Sequence, residues 1–458
     1  MKFSSNQNSP KNPSTVKNKK SYIDNSNLII FTFITVFYPR IVCTLTGAPS
    51  ILNFGHFATV TIALIVGLLT TQVKDKTQIN IIWQLLLGIL ALFGAMLVSA
   101  LVNHAGLVNV IFDFLILGEP FMFLLAIICL SLSPKRLKTI KAWILSSAFI
   151  NFILAEIQKP LLQKGLLVAP NGMDATDGVQ GVFFVSGAGG YISTGVSITA
   201  AIYFFVYFKK VPIIIRFLGL IGAIHHMLIA DTKQVLLTSL VGWGILGLTK
   251  VHDLKKLLWY VLSIIIAISA FIWAAYNLEA FEVYKYWFTR DDIYQDSDGG
   301  WTVKIAGIRM VIDHLKSPLN WLFGLGPGHT LGRLGGWSII EYWSILAPLG
   351  ATAPPLYYDI WSFIHSNWIA LTTTLYVPLF TWAGIWGDLG WFGLGVYLYV
   401  GYIVWHRLCL DDFTKFLILN VIVCGFFLTQ MEEPGFMLSI AAFIGLRWQE
   451  QKQIVSNR

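Results

Sequence analysis

Charge is what this chain has least of. Asp, Glu, Lys and Arg make up only 12% of its 458 residues, against 56% hydrophobic. A soluble domain carries roughly 25% charged residues. The composition therefore excludes one large water-soluble fold and puts most apolar side chains against lipid or other membrane helices. Cysteine is also scarce. Cys43, Cys129, Cys409 and Cys424 lie in or beside hydrophobic segments, with neither disulfide-framework nor zinc spacing, so they point to no metal site. Gly-Lys-Ser/Thr is absent and no βαβ pattern flanks a glycine run, which excludes P-loop and dinucleotide chemistry. Internal repeats are missing, as are the paired Gly/Pro-broken spans of an inverted-repeat transporter.

Long apolar runs are what the chain has instead, with a mean hydropathy of +0.67. A spanning helix needs roughly 20 apolar residues. The runs predict spans at about 28–45, 54–73, 80–102, 112–132, 141–158, 191–208, 211–230, 234–250, 257–276, 386–406, 413–430 and 433–447. The expected fold is an all-α polytopic membrane protein of about 12 transmembrane helices. One large external, periplasmic loop domain separates the ninth and tenth. Residues 1–26 read as a disordered basic cytoplasmic tail, 27–276 as a nine-span membrane region, and 277–385 as the large loop. Residues 386–458 read as a three-span region with a short cytoplasmic tail. Residues 368–383 are apolar but broken at Pro378, and read as a re-entrant or interfacial segment. The first apolar run reads as a retained signal anchor.

The formal charge of +8 does not imply nucleic acid, because of where the cations fall. Lys2, Lys11, Lys17, Lys19 and Lys20 crowd the N-terminal tail. Every even-numbered boundary is basic as well: Lys74 and Lys76; Lys135, Arg136, Lys138 and Lys141; Lys209, Lys210 and Arg216. The series continues with Lys250, Lys255 and Lys256, then His406, Arg407 and Lys415, then Arg447, Lys452 and Arg458. By the positive-inside rule both termini are cytoplasmic and 277–368 lies outside.

That outer stretch concentrates the candidate chemistry. It carries Arg290, Lys304, Arg309, Lys316 and Arg333 among Trp287, Trp301, Trp321, Trp337, Trp343, Trp361 and Trp368. Cations suit phosphates, and flat apolar rings suit the C–H faces of sugars. Gly324, Gly326, Gly328, Gly332, Gly335 and Gly336 permit positive φ and close backbone approach. Their N–H groups are candidates to receive an anionic or hydroxyl-rich ligand, and the same glycines also suit a tight turn. Residues 302–316 read as an amphipathic helix with Ile305, Ile308, Ile312 and Leu315 on its apolar face. Arg309 either pairs with Asp313 or aims a guanidinium fork at a diphosphate. His365, beside Ser366 and Asn367, is a candidate proton acceptor or a hydrogen-bonded structural group.

Ionisable groups at membrane depth are costly and so mark function by default. The outer span ends supply Arg40, Asp231, Lys233, Asp388, Glu432 and Glu433. Arg40 faces outward, against the positive-inside trend, and a lipid phosphate would account for it. Lys233 meets either a pyrophosphate or Asp231. The deeper Glu119, His225 and His226 read as hydrogen-bonding groups between helices. External Asp174 and Asp177 sit in a second Gly-rich stretch.

Several motifs occur in a familiar order: LKSPLNWLFGLGPG (Leu315 to Gly328), the His365/Asn367 pair, GDLGWFGLG (Gly387 to Gly395), MEEPGF (Met431 to Phe436) and GAPSILNFGHF (Gly47 to Phe57). With the spans around one long outer loop, the chain resembles the O-antigen ligase and O-antigen polymerase superfamily of bacterial envelope polysaccharide synthesis. The resemblance implies a glycosyltransferase of the inner membrane that needs neither metal, nucleotide nor other cofactor. Its partner is an undecaprenyl-diphosphate-linked oligosaccharide, with membrane lipid around it and other polysaccharide assembly proteins beside it. It implies polymerisation of lipid-linked units, or, as a ligase, transfer of glycan to a lipid acceptor. A transporter or lipid-linked sugar flippase is the alternative of another class. By the resemblance, His365 assists the attacking hydroxyl. Lys233 stands where relatives carry an arginine, and Lys304, or alternatively Arg309, stands for a second one. Arg40, Lys233, Lys304, Arg309 and Arg333 form the pool for the diphosphate.

Overall fold

The computed structural model describes residues 25–71, 75–169, 175, 177–250, 254–281, 284–285, 288–294 and 299–456. The basic tail and Lys74, Asp174, Trp287 and Arg458 lie outside the described residues. Among the described residues the regular structure is helical, with no β-strand.

Each predicted span coincides with a helix. In chain order these are α1 (Asn25–Phe37), α2 (Pro39–Thr46), α3 (Gly55–Thr70), α4 (Lys76–Asn103), α5 (Leu107–Cys129), α6 (Pro134–Gln163), α7 (Gly189–Tyr207), α8 (Ile213–Ile229), α9 (Lys233–Leu248) and α10 (Leu254–Asn277). The loop region contributes α11 (Gly300–His314), α12 (Pro318–Phe323), α13 (Tyr357–Ser366) and α14 (Trp368–Thr372), besides shorter turns. Three helices close the chain: α15 (Thr381–Arg407), α16 (Asp412–Cys424) and α17 (Pro434–Ser456).

The count of twelve spans is not reached on length and apolarity. Among the described residues six helices are long and apolar enough to cross a membrane: Ser50–Thr70, α4, α5, α6, α7 and Leu257–Asn277. The bent pair α1–α2, turned by 55° at Pro39, makes a seventh if it is one span. The ring and missing N–H of Pro39 let a new helix start there but not the old one continue. α8 and α9 have 17 and 16 residues, so at 1.5 Å per residue they reach about 25 Å, short of a hydrocarbon core of about 30 Å. α16 is shorter still, at 13 residues. α15 is long but leaves helical geometry at Gly390 (φ 65°, ψ −167°).

α5 is the central post, buried at every position from Ile116 to Cys129. Apolar side chains of α1, α3, α4, α6, α7, α15, α16 and α17 pack with it in one core. The loop region has a core of its own, in which Val303, Val311, Leu325, Leu331, Ile360, Ile364, Leu379 and Phe380 meet Ala383 and Trp386 of α15. α11 reaches this core by a face that overlaps the expected one, for Ile308 and Leu315 pack against it. Val303, Lys304, Gly307 and Val311 are buried, whereas Ile312 is 41% exposed. The reason is backbone approach: a Cβ on Gly307 would lie 2.6 Å from the Pro378 carbonyl oxygen. Only a glycine face fits that closely against the irregular stretch before α15.

The two ends of the bundle differ. At one end Arg447 of α17 donates to Asp411 ahead of α16 at 2.8 Å, Tyr207 of α7 donates to the same carboxylate at 2.8 Å, and Lys141 of α6 pairs with Glu450 at 2.8 Å. This ionic seam ties four helices together. At their other end the helices part around a hollow.

Candidate functional site

The hollow is a cavity of about 940 Å³. Its walls come from the bend between α1 and α2, the start of α3, the first turns of α5 and α7, residues 333–346, and the turn before α17. These are the ends that the loop charges assign to the outside.

Two cations of the predicted pool line this one cavity: Arg40 and Arg333. Pro39 begins α2 and so sets Arg40 in its first turn, where Nη1 donates to the Val185 carbonyl at 3.1 Å. Arg333 is fixed from the turn before α17. Its backbone N–H donates to Glu432 Oε2 at 2.5 Å, its Nη1 donates to the Glu432 carbonyl at 2.9 Å, and the same nitrogen lies 3.3 Å from Glu433 Oε2. Its buried Nε has no hydrogen-bond partner among the described residues. Burial pushes the Glu432 carboxyl up to about 8. Glu433 and Glu341 also line the cavity. Guanidinium forks bind phosphate oxygens in pairs, and here two of them share one chamber. Phe54, Phe57, Trp337, Tyr342 and Trp361 supply flat apolar wall. The Trp361 ring is held by its indole N–H, which donates to the Gly336 carbonyl at 2.7 Å.

Of the two uses the sequence leaves open for the glycine stretch, a ligand cradle or a tight turn ending a helix, the turn is present: Gly324 caps α12. Gly324, Gly326 and Gly328 do adopt positive φ (75°, 109° and 66°), but their N–H groups are already taken. Gly324 N–H donates to Asn320 O at 2.7 Å and Gly326 N–H to the Asp388 carbonyl at 3.0 Å. The Asp388 carboxylate receives the Gly328 N–H at 2.9 Å, the His329 N–H at 3.2 Å and the Thr330 hydroxyl at 2.6 Å. The loop and the GDLG motif thus clasp each other. Contact is so close that a Cβ on Gly324 would stand 2.3 Å from the Asp388 carbonyl. Asp388, singled out as an ionisable group at a span end, is the acceptor of this clasp rather than a group facing the cavity.

Lys304 is likewise spoken for. Its ammonium donates to the carbonyls of Val377 (2.7 Å) and Phe427 (2.5 Å) and sits over the Phe380 ring. It does not line the cavity, so its expected phosphate role is replaced by a cross-link between two turns. Burial lowers its pKa from 10.5 to about 7. Between those values the unfolded chain holds a proton that the folded chain has released, so stability rises with pH across that window. Below it both states are protonated and the contribution is constant. Wild-type protein should therefore gain more thermal stability between pH 7 and pH 10 than a Lys304→Met variant, followed by intrinsic fluorescence. Equal gains would mean that Lys304 keeps an ordinary pKa.

Lys233 pairs with Asp231 at 2.8 Å and lines a separate cavity of about 320 Å³ with Tyr191, Gln234 and Thr374. Arg309 is exposed, makes no pair with Asp313, and lies in neither cavity. His365 is exposed on α13; its Nδ1 donates to the Trp361 carbonyl at 2.7 Å, and the two rings lie 5.6 Å apart. It stands behind a wall residue without being one.

His56 is the residue that the sequence reading passed over. It opens α3 and lines the cavity, and its Nδ1 lies 2.6 Å from Glu119 Oε1 of α5, both side chains being buried. Glu119 was the available signal: a carboxylate mid-helix needs a partner, and the partner sits 63 residues back, within GAPSILNFGHF. His225 and His226 do hydrogen-bond between helices, to Glu156 of α6 (2.8 Å) and to Ser193 and Ser197 of α7 (3.2 and 3.0 Å).

The arrangement defines a class: an all-helical protein with helices long and apolar enough for a membrane, hollow at one end around two arginines. No protein-family model matches the chain, and no curated protein does.

Proposed function

We propose that this protein is a glycosyltransferase of the bacterial inner membrane, with both termini cytoplasmic. It joins undecaprenyl-diphosphate-linked oligosaccharide units at the periplasmic face during O-antigen, capsule or exopolysaccharide synthesis. The observation that carries the reading is the placement of Arg40 and Arg333 in one aromatic-walled cavity. Negative charge grows on the departing lipid diphosphate as the anomeric C–O bond breaks. Fixed cations in a partly dry chamber stabilise that charge without reorganising. The donor arrives activated, so the outer face needs no nucleotide. An O-antigen ligase, which passes glycan to another lipid acceptor, would use the same cavity. The motif order from GAPSILNFGHF to MEEPGF supports the same superfamily.

The test is reconstitution. Purified protein in liposomes, given undecaprenyl-diphosphate-linked oligosaccharide from cells lacking the protein and no nucleotide, should lengthen the glycan and release undecaprenyl diphosphate. Release with transfer to a different lipid acceptor would mark the ligase. Movement of intact donor across the bilayer without release would replace the reading with a flippase.

A further inference from the structure

We propose that His56, backed by Glu119, is the group that takes the proton from the attacking sugar hydroxyl; this rests on the glycosyl-transfer reading above.

Three observations lead there. First, His56 lines the cavity that holds both arginines, while His365, the other histidine candidate, does not. Second, the ring is fixed by one edge only. Nδ1 meets Glu119 Oε1 at 2.6 Å, and Nε2 has no hydrogen-bond partner among the described residues. With Nδ1–H given to the carboxylate, Nε2 carries the lone pair. A base oriented by a third group in this way is ready to accept a proton. Third, an aromatic neighbour braces the imidazole. Phe57 stacks edge-on to the imidazole at 4.3 Å and limits its rotation.

A structural pair alone would not need a second ring nitrogen left without a partner. Glu119 belongs to the most buried helix in the molecule, and a hydroxyl or amide would serve to tie α3 to α5 there. An imidazole adds the ability to take up a proton and to pass it on.

The step balances. The acceptor hydroxyl oxygen forms a bond to the anomeric carbon as its proton moves to His56 Nε2. The anomeric C–O bond breaks and its electron pair leaves with the lipid diphosphate. The imidazolium, steadied by the Glu119 carboxylate, then returns its proton to water. Glu119 is a positioning residue: it holds the tautomer and touches no substrate.

The test uses full-length protein in liposomes, with two separate readouts. Undecaprenyl diphosphate binding is followed by quenching of tryptophan fluorescence, since Trp337 and Trp361 line the cavity. Elongation is followed on the lipid-linked oligosaccharide described above. His56→Gln keeps an N–H for Glu119 but accepts no proton. It should bind undecaprenyl diphosphate as wild type does and lose about 10²–10⁴-fold in elongation rate, the usual range for a general base. His56→Ala should regain part of its rate with added imidazole. Glu119→Gln should lower kcat with KM unchanged, and His365→Ala should stay within a few-fold of wild type. Full elongation by His56→Gln overturns the inference and leaves the glycosyl-transfer reading standing. So does a loss confined to His365→Ala. Wild-type protein that neither binds undecaprenyl diphosphate nor elongates the glycan overturns the reading itself.

Discussion

Arg333→Gln is expected to weaken undecaprenyl diphosphate binding and to cut elongation by about 10²–10³-fold, the scale for removing one preorganised donor from a developing anion. Arg333 is the best-held cation of the cavity, anchored to Glu432 and Glu433 with its Nε unspent. The same anchoring complicates the variant. Removing one partner of a buried ion pair leaves the other charge stranded, at a cost of about 3–5 kcal/mol. Arg333→Lys separates the two effects, because a lysine keeps the charge for Glu433 but lacks the fork. A folded Arg333→Lys should sit between wild type and Arg333→Gln in activity and close to wild type in thermal stability. Unchanged undecaprenyl diphosphate affinity in a folded Arg333→Gln would make Arg333 a structural pair and leave Arg40 alone on the diphosphate.

Asp388→Ala is expected to have the largest effect on the fold. It removes the acceptor of the Gly328 N–H, the His329 N–H and the Thr330 hydroxyl together. Each buried donor left unmet costs about 1–3 kcal/mol, and total stability is typically about 5–15 kcal/mol. Such a variant should unfold far below wild type, or fail to accumulate. Asp388→Asn keeps one oxygen acceptor and should fall between the two. Thermal unfolding of the solubilised protein reads both. An Asp388→Ala protein as stable as wild type would show that the clasp contributes nothing and would reopen the loop N–H groups as a ligand site.

The helices were legible because apolar runs are local. Each predicted span meets a helix, although α8, α9 and α16 fall short of a bilayer, since hydropathy marks where a helix runs better than where it stops. Proline and glycine mark two of the breaks, at Pro39 and Gly390. The candidate site was legible in part. Arg40 stood out because it opposes the positive-inside trend, and Arg333 because it is one of the cations of the outer loop. Lys304 looked equivalent to Arg333 in sequence, and only the carbonyls of Val377 and Phe427, far along the chain, distinguish it. The sequence left the loop N–H groups open between a ligand and a turn for the same reason: the acceptor of the Gly328 N–H lies 60 residues away. The face of α11 was legible in part, with Ile308 and Leu315 inside but Ile312 out, because Gly307 contributes nothing to an apolar stripe, yet it is the residue that permits contact. His56 was overlooked because a histidine at a span end carries no local mark.

The ionic seam of Asp411, Arg447, Glu450 and Lys141 gives the bundle a floor. A donor lodged between Arg40 and Arg333 would sit at the opposite helix ends from that seam. Loosening the seam should therefore lower thermal stability while leaving the grip on the diphosphate unaltered.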